Sequence, residues 1–318
     1  MISKTYFINL YMPLISCILP VNKDLDYLDQ SIESILNQTY KNFELIIINN
    51  SADKKILKKI LKFKKLDKRV KVYKKGKGNL SELLNYGLTK SRGSYIARQD
   101  SDDISHKKRF EYQINWFQKP SSKYKNKILC GTNALLIDEN SKNIGATSYV
   151  KFKHEEIKKR LLFANCFVHS SIMANLKFLK KKFRYNKFFE FSQDYDLWTK
   201  IIQFGEVCNL KLDLVKYRIN KGIKNKKKLR LQLLYAILIA SNYLRFTISK
   251  KFKKFSGNLV ADIKKLEKEE KIKNHVKILR YIYGKGLKPS DPIRLKNLNF
   301  SDFLRNIRNP LFLKSLIK

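Results

Sequence analysis

Three carboxylates fall within four residues at Asp100, Asp102 and Asp103, in the stretch YIARQDSDDIS (residues 95–105), although Lys and Arg outnumber Asp and Glu by 68 to 27 over the whole chain. Carboxylates this close repel one another, and each has a raised pKa unless a cation shares the space. A hard divalent ion resolves the conflict, because Mg2+ takes one or two protein carboxylates and fills its other positions with water and phosphate oxygens. The cluster therefore reads as a clamp for a phosphorylated substrate, with Arg98 beside it to assist the phosphates. The plainer alternative is that Asp102 or Asp103 caps a helix beginning near Ser105. A second acidic stretch, SQDYDLW (residues 192–198), reads on its own as a capped helix start with Leu197 and Trp198 in the core.

The elements that must position the clamp lie upstream of it. LISCILPV (14–21) is a continuous apolar run ended by Pro20, as expected of a strand covered on both faces. Leu25, Leu28, Ile32, Ile35 and Leu36 then recur at helical spacing, with Asp24 available as a cap. FELIIINN repeats the buried-strand pattern, and a lysine-studded helix with Ile56, Leu57, Ile60 and Leu61 on one side follows it. VKVYK, the amphipathic NLSELLNYGLTKS, a loop closed by Gly93 and the strand SYIARQ complete the series. Alternation of this kind predicts an α/β fold: a mostly parallel, Rossmann-like sheet with helices on both faces. Ligands bind such sheets beyond the carboxyl ends of the strands. That edge is where Asp100, Asp102 and Asp103 follow the fourth strand, and where the loops PVNK and NNSADK should converge.

The formal charge of +41 predicts attraction to polyanions: nucleic acid, acidic lipid or phosphorylated substrates. Lysines spread over solvated faces, in a chain rich in Lys, Asn and Ile, are the neutral explanation. Cys17, Cys130, Cys166 and Cys208 lie far apart with no paired spacing, which suggests buried thiols in a reducing, cytoplasmic compartment. No export signal is read at the start of the sequence. LQLLYAILIASNYLRFTI (231–248) is interrupted by Gln232, Ser241, Asn242 and Arg245, so a buried or interfacial helix is expected rather than a membrane span. From 221 to 318 there are 26 Lys and Arg against 6 Asp and Glu. The basic flanks of that apolar helix suit an anionic membrane surface; packing against the rest of the protein is the alternative. DIKKLEKEEKIKNH reads as one solvated helix of mixed charge, and KPSDP as a break.

Taken in order, ISCILPV with Asn22, SIESILNQTYKNFELIIINNS, GNLSELLNYGLTKSRGSYIARQDSDDIS, HSSIMAN and SQDYDLWTKI resemble the family-2 glycosyltransferases, which have the GT-A fold and use nucleotide-diphosphate sugars. The resemblance runs from about 14 to 220. It implies a glycosyltransferase domain over 1–220 and a basic, mainly helical extension over 221–318. It also implies that Asp100 approaches the ribose or base, that Asp102 with Asp100 ligates Mn2+ or Mg2+ bridging the diphosphate, and that Pro20, Val21 and Asn22 border the nucleoside. His169, with Ser170 and Ser171, would border the donor pocket, although a lone histidine is more often a satisfied core residue. Asp194 would be the general base of an inverting transfer to a carbohydrate or lipid-linked acceptor.

Three departures stand out against the family pattern. Asn49 and Asn50 replace two Asp, so a base edge would be met by the Asn49 amide. Gln193 replaces an acidic residue beside Asp194, and Asn220 stands where many members carry a His that ligates the metal. The implied setting is surface polysaccharide or glycolipid synthesis by a cytoplasmic protein able to sit on the inner face of the membrane, with no specific nucleic acid as partner. Two other classes compete. A nucleic-acid-binding protein has only the charge in its favour and leaves the aspartates unexplained. A nucleotidyltransferase could share the sheet and the acidic clamp, but there is no Gly-rich phosphate loop near the first strand and SQDYDLW would have no role.

Overall fold

The computed structural model describes residues 12–283, without 23–25, 77, 122, 182, 220–225, 253 and 257. The expected cap Asp24, the substituted ligand position Asn220 and the KPSDP break lie outside the described residues. Two compact units are present: the first comprises the described residues within Met1–Val150, Phe167–Arg184 and Gly205–Ile219, the second those within Lys151–Cys166, Tyr185–Phe204 and Asn220–Lys318.

The first unit is built on the expected alternation. Strands β1 (Ile15–Val21), β2 (Phe43–Asn49), β3 (Val70–Lys74) and β4 (Tyr95–Arg98) are separated by helices α1 (Leu28–Leu36), α2 (Lys54–Leu66) and α3 (Leu80–Lys90). Every residue of β1 and β2 is buried, which is why both read as uninterrupted apolar runs. The α3 helix starts with a reciprocal capping box, Asn79 accepting from the Glu82 amide while the Glu82 carboxylate takes the Asn79 amide. Gly93 lets the chain turn in beside β1, since a Cβ there would lie 2.5 Å from the Leu14 carbonyl oxygen.

The chain continues through β5 (Ile104–Ser105), α4 (Arg109–Gln118), β6 (Lys127–Ile137), β7 (Asn143–Ala146), a 3-10 turn at His169–Ser171, β8 (Met173–Asn175) and β9 (Glu206–Arg218). The sheet order is β3-β2-β1-β4-β8-β6-β9-β5, with β7 paired to β6. Strands β3, β2, β1 and β4 are parallel, whereas β8 runs antiparallel to both β4 and β6. From β1 the order proceeds outward to β2 and β3 on one side and to β4 on the other, which makes the carboxyl end of the β1/β4 pair the switch point where such sheets open a crevice. The β1–β4 ladder ends at Ile18–Arg98, so Pro20, which lacks an N–H, sits where the two strands part.

One local expectation is corrected here. No helix begins near Ser105: Ile104 and Ser105 pair with Lys216 and Val215 of β9, and α4 starts only at Arg109. The Asp103 carboxylate accepts the backbone N–H of Arg218 at 2.8 Å, which draws this segment onto β9 instead of into a helix.

The second unit is helical: α5 (His154–Arg160), α7 (Gln193–Ile201), α8 (Lys226–Ser249), α9 (Leu259–Glu267) and α10 (Glu270–Tyr283), the intervening α6 (Leu176–Lys181) belonging to the first unit. In α8, Tyr235 and all of 237–243 are buried, and the helix packs on α7, α9 and α10. By length and composition Leu231–Ser249 is apolar enough to cross a membrane, but nearly half of it is covered within this unit. The single solvated helix expected over DIKKLEKEEKIKNH is two helices, broken between Glu267 and Glu270. Ile263, Leu266, Ile272, Val276 and Leu279 are buried along them, an apolar stripe at helical spacing that the dense charges obscure. Buried Asp262 accepts from Ser256 N and Oγ, both at 2.8 Å. As expected, the four cysteines are free thiols, with Cys17, Cys130 and Cys166 buried.

Candidate active site

The acidic cluster forms at the predicted edge. One carboxylate oxygen from each of Asp100, Asp102 and Asp103 lies within 4.8 Å of the others, yet the three are not equivalent. Asp103 is 1% exposed, and its oxygens meet the Arg218 amide and the Ser170 hydroxyl. Burial, then Asp100 and Asp102, push its pKa well above the carboxylate range. Ser170 Oγ also meets Asp100 Oδ2 at 2.7 Å and accepts from Arg98 Nη1 at 2.9 Å. A hydroxyl carries one proton, so it can donate to only one of its two carboxyl neighbours at a time.

Asp100 is ion-paired with Arg98, whose side chain is buried. Arg98, expected to face phosphates, is thus directed onto Asp100 and Ser170. Asp102 is half-buried and takes no side-chain hydrogen bond among the described residues. Its pKa is pushed up to about 6, by burial first and Asp100 second, against the opposing pull of its own backbone N–H, Arg98 and Arg218. A carboxylate packed against a like charge, with no ion-pair partner among the described residues, is the chemistry a divalent ion relieves. The donor set therefore fits a divalent metal ion.

Sequence reasoning missed the residues that hold this loop. Arg109 is fully buried, and its five N–H groups have five acceptors: Gln113 Oε1 at 3.2 Å, Gln99 Oε1 at 3.0 Å, Ser105 Oγ at 2.7 Å, and the carbonyls of Arg98 at 2.8 Å and Ile172 at 3.2 Å. Burial lowers its pKa to about 10, which leaves it charged at neutral pH. Gln99 Nε2 in turn donates to Asp103 O at 2.7 Å, and Ser31 Oγ to Asp100 O at 2.6 Å.

Arg218, the last residue of β9, spans the other side. Its Nε donates to Asp102 O at 3.0 Å, Nη1 to Asp138 O at 2.7 Å, and Nη2 to Ser141 Oγ at 3.0 Å, while the guanidinium lies 3.7 Å from the Tyr27 ring centroid. Arg218→Gln is therefore expected to cost roughly 2–3 kcal/mol of stability and to weaken divalent-ion binding at this cluster. Thermal melting and a Mn2+ titration of the variant check both, and Arg218→Lys, which cannot reproduce the planar fork, should behave similarly.

The first two loops reach the same edge. Val21 is buried and Asn22 exposed at the end of β1, and Asn50 N donates to Val21 O at 2.8 Å. Asn49 is 1% exposed, with its Oδ1 accepting from Ser51 N at 3.0 Å. His169 opens the 3-10 turn that delivers Ser170. Burial, then the Arg98 charge, lower its pKa well below the usual value, so the imidazole is neutral.

In the second unit, SQDYDLW does start a helix with Leu197 and Trp198 in the core, both 0% exposed. Ser192 precedes it in the left-handed region, φ 60°. The two aspartates then differ. Asp196 is buried and bonded to Lys200 Nζ at 2.6 Å, whereas Asp194 is half-buried and accepts from Asn165 Nδ2 at 2.7 Å. Gln193 is buried beside it.

The model of the family described as "Glycosyl transferase family 2" matches residues 16–182, which takes in β1 to β4, the acidic cluster and the His169–Ser171 turn. The chain belongs to this family. Among family 2 relatives, the O-antigen biosynthesis glycosyltransferase WbnJ of Escherichia coli is 39% identical over 224 residues, covering 69% of this chain and 84% of that protein. Solved structures similar to this family 2 chain include S. aureus TarS 1-349 in complex with UDP-GlcNAc, with a TM-score of 0.58 at 13% identity over 83% of each chain. The mannosyltransferase PcManGT of Pyrobaculum calidifontis, in complex with GDP-Man and Mn2+, gives 0.52 at 9% identity over 97% of this chain and 84% of that one. At these identities the likeness is one of fold, and that fold is the mixed α/β, GT-A type.

Proposed function

We propose that this family 2 enzyme moves a sugar from a nucleotide-diphosphate sugar to a hydroxyl acceptor, with inversion, in the synthesis of a surface polysaccharide or glycolipid. The observation that carries the reading is the cluster of Asp100, Asp102 and Asp103 carboxylates at the β4 edge of a family 2 chain, with Asp102 half-buried and without an ion-pair partner among the described residues. WbnJ, whose name places it in O-antigen biosynthesis, supports the polysaccharide setting, and the nucleotide-sugar complexes of TarS and PcManGT support the donor class.

In this reading Asp102, with Asp100, holds Mn2+ or Mg2+, and Arg98 and Ser170 keep Asp100 in place. When bound, the ion neutralises charge accumulating on the leaving diphosphate. Pro20, Val21, Asn22 and Asn49 border the nucleoside. His169 borders the donor pocket. Asp194 takes the proton of the acceptor hydroxyl as that oxygen bonds to the anomeric carbon and the bond to the diphosphate breaks on the opposite face. One displacement inverts the centre. Asp196 is unsuited to that task, being buried and already bonded to Lys200. The catalytic domain is assigned to 1–220 and the basic extension to 221–318; because α8 packs on α7, the extension also supports the helix bearing Asp194. A cytoplasmic location with peripheral attachment to the membrane fits a lipid-linked acceptor.

The test is protection from thermal unfolding by a panel of nucleotide-sugars, with and without Mn2+. One donor class should raise the melting temperature in the presence of Mn2+; stabilisation by duplex DNA and by no nucleotide-sugar would overturn the proposal.

A further inference from the structure

Helix α2 carries seven lysines and no acidic side chain in its thirteen residues. Ile56, Ile60 and Phe63 are buried against the sheet, and Lys59 is turned toward Asp29 at 3.5 Å. At 3.6 residues per turn, Lys54, Lys65, Lys58 and Lys62 occupy an outward arc of roughly 80°, and all four are exposed. Leu61 borders the arc on one side, and Lys55 then Leu66 follow on the other, the two leucines being 38% and 71% exposed.

Two features set this face apart from an ordinary solvated one. Lys54, Lys58 and Lys62 stand at successive four-residue steps, where like charges destabilise a helix, and no acidic residue within the helix relieves them. Two large apolar side chains flank that charge, although water rewards neither. An anionic surface reverses the first cost and an apolar boundary the second, and a lipid bilayer with acidic headgroups supplies both at once. Nucleic acid would satisfy the lysines and leave the leucines in water.

We propose that the outward stripe of α2 is a docking surface for anionic lipid, with Lys54, Lys58, Lys62 and Lys65 on the headgroup phosphates and Leu61 and Leu66 in the headgroup boundary. This site belongs to the sheet-containing unit and is separate from the basic extension after 220. It does not depend on the sugar-transfer reading, so either can fail alone.

The experiment is co-sedimentation of the full chain with phosphatidylcholine vesicles, with or without phosphatidylglycerol. Exchanging Lys54, Lys58, Lys62 and Lys65 for Gln should weaken binding to the acidic vesicles by roughly 10²–10³-fold, at about fivefold or a little less per surface lysine. A charge-matched control, with Gln at the exposed positions Lys119, Lys142, Lys158 and Lys159, should lose less than about tenfold. Leu61→Ser with Leu66→Ser should weaken binding by about tenfold or more at unchanged charge. All the substituted side chains are exposed, so the melting temperatures should stay at that of wild type. Equal losses from the two lysine sets, unchanged vesicle binding in the leucine variant, or a larger loss of duplex DNA binding than of vesicle binding in the α2 lysine variant would each overturn the proposal.

Discussion

Replacing Asp194 by Asn is expected to reduce transfer by roughly 10²–10⁴-fold, the usual contribution of a positioned general base, while leaving donor affinity nearly intact. The exchange is isosteric, and the carboxamide oxygen of the new side chain can still accept from Asn165 Nδ2, the contact made by Asp194 Oδ2 at 2.7 Å. What disappears is the ability to take a proton. Asp196→Asn gives the contrasting outcome, because it strips the partner from Lys200 inside the helical core and should lower the melting temperature. Product formation at saturating donor, with a melting curve of each variant, separates the two. Turnover of Asp194→Asn within a few-fold of wild type would remove Asp194 from the mechanism.

Asp102→Asn should have the second large effect, of a different kind. Here the loss falls on donor binding, by roughly 10²-fold or more, since a metal-held diphosphate is worth several kcal/mol. The variant should also fold at least as well as wild type when no metal is present. Burial and Asp100 push the Asp102 carboxyl up to about 6, so its ionised form is a cost to the folded state at neutral pH. Removing it should raise the melting temperature of the metal-free protein while destroying function, the trade expected of a strained site. Asp103→Ala should do the opposite: that side chain ties the loop to Arg218 and Ser170, and removing both contacts should destabilise the sheet edge.

This difference between neighbouring aspartates marks where the sequence stops being legible. The four parallel strands and their helices could be read because each is specified locally: buried runs such as ISCILPV and FELIIIN, and apolar residues at helical spacing in α1 to α3. The clamp could be read because its three carboxylates are adjacent in sequence. Which of them faces inward is decided by Arg218, 115 residues away, and Ser170, 67 residues away, and no local pattern carries that information. Arg109 was missed for the same reason. In sequence it looks like a solvated position at the start of a helix, and only the fold shows it buried among five acceptors. Arg98 looks like a free cation until Asp100 is found against it. In α9 and α10 the apolar spacing of Ile263, Leu266, Ile272, Val276 and Leu279 lies beneath a dense run of charge that hides it in the sequence.

The central claim is that Asp102 gives the sheet edge its affinity for a divalent cation in the presence of a nucleoside diphosphate. Mn2+ binding followed by electron paramagnetic resonance, on wild type and on Asp102→Asn with nucleoside diphosphate present, measures it directly. Wild type should withdraw Mn2+ from the free pool in a nucleotide-dependent manner and the variant should leave it free. Equal Mn2+ uptake by the two proteins would contradict the account.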